Sequence, residues 1–271
     1  MHGASREALA AGADRLDALT SASGADVTGI ADDLAAVAAV FGRDPALRRM
    51  LTDPARPAAQ RADIATALLA GKIGADAAAL VAGLARSRWS APRDLADAIA
   101  DLAVRADLAV AERDGKLDDV EDELFRLGRL LDSNGELALA LGDTRVSADK
   151  RVALIDGLLA DKVDPTTYRL VGRVVANPRG RSVSAGLTEI GKAAAERRQR
   201  LIAYVTAAVP PTEQQRDRLA AVLQRLYGQR VHLNVDLDPA VLGGLSVRVG
   251  DEVIDGTVAT RLALAQRQLV G

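Results

Sequence analysis

The residues that could do chemistry are few and poorly placed for it. His2 and His232 are the only histidines in the 271 residues, and there is no Cys, which removes thiolate nucleophiles, disulfides and Cys-ligated zinc together. His232 falls on the polar phase of an alternating segment, where a solvent-facing side chain is the plain reading and a ligand or base the weaker one. Gly186 with Gly191-Lys192 has the glycine spacing of a phosphate-binding loop, but Ala193 stands where Ser or Thr would hold magnesium, and no strand leads into it. Gly243-Gly244 followed by Gly250 precedes a strand rather than a helix, so it reads as a tight turn and not as a dinucleotide site. Asp118, Asp119, Glu121, Asp122 and Glu123 lie where a helix begins, a position the helix dipole favours for acids without any metal. Arg197, Arg198 and Arg200 lie at a helix end, where cations are favoured for the converse reason, and no aromatics accompany them as a nucleic-acid surface would require. The expectation is a protein with no catalytic residues, no metal and no cofactor.

The elements behind these residues are chiefly helical. Hydrophobic residues make up 49% of the chain and aromatics only 2%, so its cores must be built of Ala, Leu and Val, which suits helical bundles. Leu9, Ala13, Leu16 and Leu19 mark a first helix over Ser5 to Thr20. Ile30, Leu34, Val37 and Phe41 mark a second, with Thr28 as its expected N-cap. Short helices punctuated by Pro45, Pro54, Pro57, Gly71 and Gly74 follow, then a long one from about Pro92 to Asp114, with Leu95, Ile99, Leu102, Ala106 and Val110 as its stripe. Trp89 sits in the loop before it beside Arg86 and Arg88, and is read either as an anchor for a partner or as packing on its own bundle.

An internal repeat organises this helical part. Shifted by 90 positions, residues 33 to 81 align without a gap on residues 123 to 171. Leu34, Leu51, Asp53, Arg61, Lys72, Leu80 and Val81 meet Leu124, Leu141, Asp143, Arg151, Lys162, Leu170 and Val171. None of these identities is Ala, so shared Ala-richness does not produce them. Beyond Arg200 the period changes to two. Ile202, Tyr204 and Thr206 alternate as a strand, Thr212 caps a helix that stops at Gly228, and Val231, Leu233, Val235 and Leu237 alternate again. Leu245 to Val249 and Glu252 to Ile254 flank Gly250-Asp251 as a hairpin, and Thr257 can cap a last helix. The fold class expected is mainly α: two tandem helical bundles, 1–112 and 113–203, then a small α+β module, 204–271, of order β-α-β-β-α.

The run Leu237-Asp238-Pro239-Ala240-Val241-Leu242-Gly243-Gly244-Leu245-Ser246-Val247-Arg248-Val249-Gly250-Asp251-Glu252-Val253-Ile254-Asp255-Gly256-Thr257 resembles the C-terminal signature of the ATP synthase delta subunits, whose mitochondrial counterpart is the oligomycin-sensitivity-conferring protein. Arg179-Gly180-Arg181, Arg197-Arg198 ahead of the Tyr204 strand, and Pro210-Pro211-Thr212 agree with it. The resemblance implies a stator subunit without an active site, lying at the cytoplasmic face of the cell membrane and touching the membrane only through the complex. Its partners would be the N-terminal segments of alpha subunits, bound by a helical bundle, and the C-terminal helices of b subunits, met by the C-terminal module. Leu124, Leu127 and Leu131 of the second copy, with Trp89 and Leu262, become candidate contacts. Asp238, Pro239, Gly243, Gly244, Gly250, Asp255, Gly256 and Thr257 are its structural signature. Ordinary members carry one bundle and a Tyr-Ala start to the first helix; this chain has two bundles, an arrangement similar to actinobacterial versions, and Arg6-Glu7-Ala8-Leu9. The second copy adjoins the C-terminal module, which makes it the counterpart of the usual bundle and residues 21 to 112 the addition.

Two other classes stand against this. A helical RNA-binding regulator would need an excess of positive charge, whereas the net charge is -2. An enzyme would need acid–base groups that the near absence of His denies it. No apolar run of 18 residues occurs and the N-terminus has no apolar leader, so neither export by a signal peptide nor membrane spanning is expected.

Overall fold

The computed structural model describes residues 1–22, 24–160, 162–198, 201–228, 231–238, 241, 243–249 and 252–255. Its helices are α1 (Ala4–Ser21), α2 (Val27–Arg43), α3 (Pro45–Thr52), α4 (Ala58–Leu69), α5 (Ala75–Arg86), α6 (Pro92–Arg113), α7 (Leu117–Ser133), α8 (Gly135–Gly142), α9 (Ala148–Leu159), α10 (Pro165–Ala176), α11 (Val183–Arg198) and α12 (Glu213–Tyr227). The strands are β1 (Leu201–Ala207), β2 (Val231–Leu237), β3 (Leu245–Val249) and β4 (Glu252–Asp255). The chain divides into two compact units, Met1–Ala195 and Glu196–Gly271. A boundary at 203/204 would cut through β1, because the alternating pattern begins at Leu201, ahead of the position expected.

Local chemistry sets the helix ends. Asp26, rather than Thr28, caps α2: its Oδ1 accepts from the Gly29 N–H at 2.9 Å, and Thr28 lies inside the helix. Asp44 caps α3 ahead of Pro45, and Asp164 caps α10 ahead of Pro165, the ring supplying the helical φ where no N–H is needed. Thr212 and Gln215 form a reciprocal capping box at α12, which ends on Gly228 at φ 69°.

The repeat is carried into three dimensions with its offset intact, since both bounds of α2, α3, α4 and α5 recur 90 residues later as those of α7, α8, α9 and α10. Specific bonds recur with them. The Gly74 N–H donates to Asp33 Oδ2 at 2.8 Å, and the Asp164 N–H donates to Glu123 Oε2 at 3.0 Å, so an acid near the start of one helix holds the entry to another in each copy. Arg61 and Arg151 are both buried and both donate from Nη2 to the last carbonyl of the following helix, Arg86 at 2.9 Å and Ala176 at 3.3 Å. Asp53 and Asp143 each accept from the N–H two residues on.

Each copy has its own core. Leu34, Val37, Phe41, Leu51, Leu80 and Val81 pack with Leu16 of α1 in the first, and Leu124, Leu127, Leu131, Leu141, Leu170 and Val171 pack with Leu187 and Ile190 of α11 in the second. Helix α6 belongs to both. Leu95, Ala96, Ile99, Leu102, Ala103 and Ala106 enter the first core, whereas Val104, Leu108 and Ala111 enter the second from the opposite face. A boundary after residue 112 therefore falls at the end of a helix, α6, that cannot be assigned to one copy alone.

In the second unit the sheet order is β2-β1-β3-β4. β1 pairs parallel with β2, α12 supplying the connection between them, and antiparallel with β3. Val249 lies opposite Glu252, as a two-residue hairpin requires. The described order is β-α-β-β-β, because the hairpin supplies two strands where the expected order counted one; the helix expected after Thr257 lies outside the described residues. Leu223 of α12 packs with Ala203, Val205, Val247 and Val249 on one face of the sheet.

Candidate partner-binding surface

The glycine pair of the C-terminal run has the geometry a tight turn demands. Gly243 has φ 66° and Gly244 φ 81°, conformations that a side chain strains. Just before them the Asp238 N–H donates to the Ala207 carbonyl at 3.0 Å and the Val241 N–H to the Asp238 carbonyl at 3.1 Å. This folds the chain back from the end of β2 beside β1, so that β3 can enter on the other side of β1. Asp255 ends β4 opposite Ser246. Pro239, Gly250, Gly256, Thr257 and Leu262 lie outside the described residues.

The candidate contacts on the second copy need correction. Leu124, Leu127 and Leu131 are 2%, 6% and 1% exposed and form the stripe by which α7 closes its own core. Their helical spacing marked burial, and a buried stripe is not a free surface. Trp89 is half-buried against the first core and donates Nε1–H to the Leu84 carbonyl at 2.9 Å, which is the packing reading of that residue.

The apolar surface that is free lies off those stripes. Phe125 and Leu130 flank the α7 stripe, Leu139 projects from α8 at 76% exposure, and Leu154 and Leu158 line one side of α9. The equivalent positions in the first copy are more covered or more polar. Ala35 stands for Phe125 and packs on the core, Arg49 stands for Leu139, and Ile64 and Leu68 for Leu154 and Leu158 are partly buried; Val40, the equivalent of Leu130, is exposed as well. Of the large apolar side chains exposed on the described helical part, the second copy carries most. On α12, Val222 and Leu226 also face outward, one turn apart, beside the inward Leu223.

Sequence reasoning missed the polar cluster between the copies. Asp107 on α6 has no exposure and accepts from Arg169 Nε at 3.1 Å and from Arg173 Nε at 2.5 Å, both on α10; Arg173 Nη2 continues to Asp32 on α2 at 2.9 Å. Burial works to lower the pKa of Arg173, but the hydrogen bonds and charges of Asp107 and Asp32 outweigh it, and the net shift is upward. Nearby, Arg179 Nη1 donates to the Asp97 carbonyl at 3.1 Å, and burial pulls the pKa of this guanidinium down. The available signal was the placement of Arg169 and Arg173 where the first copy has Ala79 and Gly83. Among the described residues no group of His, Cys, Asp or Glu could hold a metal ion, and no helix is long and apolar enough to cross a membrane.

Comparison with known proteins agrees with the C-terminal signature and extends it. The family model "ATP synthase delta (OSCP) subunit" matches residues 96–269, from α6 onward. "ATP synthase subunit delta" of Streptomyces griseus subsp. griseus is 52% identical over 271 residues, covering 100% of both chains. The proteins of the same name from Streptomyces avermitilis and Beutenbergia cavernae are 53% and 46% identical, covering 99% and 100% of this chain and 98% and 100% of their own. These matches take in the first helical copy, so such relatives share the longer form. A chain in a cryo-EM structure of the Toxoplasma gondii mitochondrial ATP synthase hexamer is matched at 24% identity and a TM-score of 0.29, covering 62% of this chain and 95% of that one. With well over half of its length matched by the family model and its whole length by such relatives, the chain belongs to the ATP synthase delta (OSCP) subunit family.

Proposed function

We propose that this chain is the non-catalytic stator subunit that links the catalytic head of an F-type ATP synthase to the peripheral stalk, so that proton-driven rotation of the rotor yields ATP. The observation that carries the reading is the match of the family model from α6 to the C-terminal module. In this role the second copy receives the N-terminal segments of alpha subunits. Its exposed Phe125, Leu130, Leu139, Leu154 and Leu158 support that assignment, because amphipathic helices dock on apolar surface of this kind. The C-terminal module meets the C-terminal helices of b subunits, with Val222 and Leu226 of α12 as apolar contacts. The subunit sits at the cytoplasmic face of the cell membrane and is held there by the complex. The first copy braces the stalk or contacts a further subunit.

Affinity purification of the tagged chain from its native membranes, with mass spectrometry of what accompanies it, tests the reading. Alpha, beta and b subunits are expected. A photo-crosslinker at Leu139 should capture alpha and one at Val222 should capture b; recovery without any of these subunits refutes the function.

A further inference from the structure

The correspondence between the copies runs further back than the repeat from residue 33. Helix α1, moved by the same 90 positions, falls within α6, placing Arg15 on Arg105 and Asp17 on Asp107, with Ala8, Ala10 and Ala13 on Ala98, Ala100 and Ala103. Helix α6 thus precedes the second copy at the offset at which α1 precedes the first, but it also closes the first copy and enters the second core through Val104, Leu108 and Ala111, the equivalents of Asp14, Ala18 and Ser21. The molecule holds two overlapping six-helix bundles, α1–α6 and α6–α11, with one helix in common.

Sharing a helix fixes the distance between the copies but leaves them a rotation. Apolar packing of two bundles on opposite faces of α6 does little to stop them rocking about its axis, because dispersion contacts have no preferred direction. The Asp107 cluster lies where such rocking would be felt. Arg173 on the second copy bridges Asp107 on the shared helix and Asp32 on the first copy, and Arg169 holds the other oxygen of Asp107. In the first copy the equivalents of these arginines are Ala79 and Gly83, and a Cβ on Gly83 would lie 2.3 Å from Arg15 Nη1. A side chain at 83 would have to displace the end of Arg15, whereas Arg173 has an acid from another copy to meet. Its guanidinium is directional and bidentate, so it resists rotation as an apolar contact does not.

We infer that Arg173 is a positioning residue, and that through it and the common helix α6 the two helical copies form one rigid strut rather than two jointed binding modules. The mechanical use of such a strut, holding the head against torque, rests on the proposed function; the rigidity itself does not. The chain has no Cys, so two introduced ones are the only labelling sites. Spin labels at Asp63→Cys on α4 and Ala153→Cys on α9, equivalent exposed positions, report the distance between the copies in the full chain by pulsed electron resonance.

The parent chain is expected to show a single narrow distance distribution. In Arg173→Gln that distribution should broaden about twofold while the far-UV circular dichroism stays unchanged, because the bond from the second copy to α2 is then lost and the bonds of Arg169 and Arg179 that remain reach α6 alone. Asp32→Ala removes a carboxylate that is 59% exposed and cannot unfold the bundle, so it decides the matter if Arg173→Gln fails to fold. A smaller broadening is expected from it. A broad or two-peaked distribution in the parent overturns the rigid strut. Unchanged width in a folded Arg173→Gln chain, or in Asp32→Ala where that chain does not fold, overturns the role of Arg173. Neither result depends on recovering any ATP synthase subunit.

Discussion

Replacing Arg151 by Met tests whether a buried arginine holds the second copy closed. Arg151 is 5% exposed, and its acceptors are backbone carbonyls: Val175 and Leu141 from Nη1, Ala176 from Nη2 at 3.3 Å, and Val146 from Nε at 3.3 Å. Val175 and Ala176 end α10, where carbonyls lack helical partners and the dipole favours a cation. A hydrogen bond from a charged group nets ~1.5–3 kcal/mol. The buried Val175 bond contributes about that value, the three longer ones add about 1 kcal/mol together, and the helix end adds ~0.5–1 kcal/mol. Met recovers about 1 kcal/mol through its own burial, so the net loss is about 3 kcal/mol. At about 2–4 °C per kcal/mol for a unit of this size, the melting midpoint should fall by about 6–12 °C.

The equivalent substitution in the first copy supplies the control. Among the described residues Arg61 bonds Arg86 and Ser87, at 2.9 and 2.8 Å, and its buried Nε has no partner, so Arg61→Met should cost about 2 kcal/mol. Urea unfolding followed by circular dichroism measures both losses, and hydrogen exchange resolved by peptide shows which copy loosens. The reasoning is refuted if Arg151→Met costs less than about 1 kcal/mol, or if its exchange rises first in α2 to α5 rather than in α7 to α10.

Core and surface on α7 should separate cleanly: Leu124→Ala should lose ~2–5 kcal/mol of stability by urea titration. Leu139→Asp should change stability by less than about 0.5 kcal/mol yet weaken binding of an alpha N-terminal peptide, read by calorimetry. Gly244→Val forces a β-branched residue to φ 81° and should unfold or misplace the C-terminal module while leaving the helical copies intact, as read by limited proteolysis and amide spectra. The Arg145 side chain, and then its backbone N–H, hold the carboxyl of Asp143 down at about 2. Because this folded-state pKa is depressed, the pairing helps above the ordinary carboxylate range and is lost as pH falls through about 2. Arg145→Ala should return the Asp143 titration toward that ordinary range, measured by carboxyl-carbon resonance.

The repeat and most helix ends were legible because Pro, Gly and capping acids punctuate the chain at the same offset in both copies. Its extension to α1 was not, since three of the five identities there are Ala, which an Ala-rich chain matches by chance; only Arg15 with Arg105 and Asp17 with Asp107 carried information. Leu124, Leu127 and Leu131 were misassigned as contacts because helical periodicity reports what a helix buries. Phe125 and Leu130 break that period, and this was the usable sign of a second surface. The pairing of Asp107 with Arg169 and Arg173 spans more than 60 residues and depends on the approach of α10 to α6, which no local pattern encodes.

The shared helix explains the composition of α6 itself. A helix that closes one core needs a single apolar stripe, and Leu95, Ile99, Leu102 and Ala106 read as one. A helix between two cores must be buried on opposite faces, and α6 buries Ala98, Ala103, Ala106, Ala109 and Ala111 along with Val104 and Leu108. Small side chains on both faces let α2 and α10 approach one axis together, as larger ones would not. That closeness brings Asp32 and Arg173 within bonding distance across Asp107. The same Ala content that hid the correspondence of α1 with α6 is thus what allows two bundles to be built on one helix.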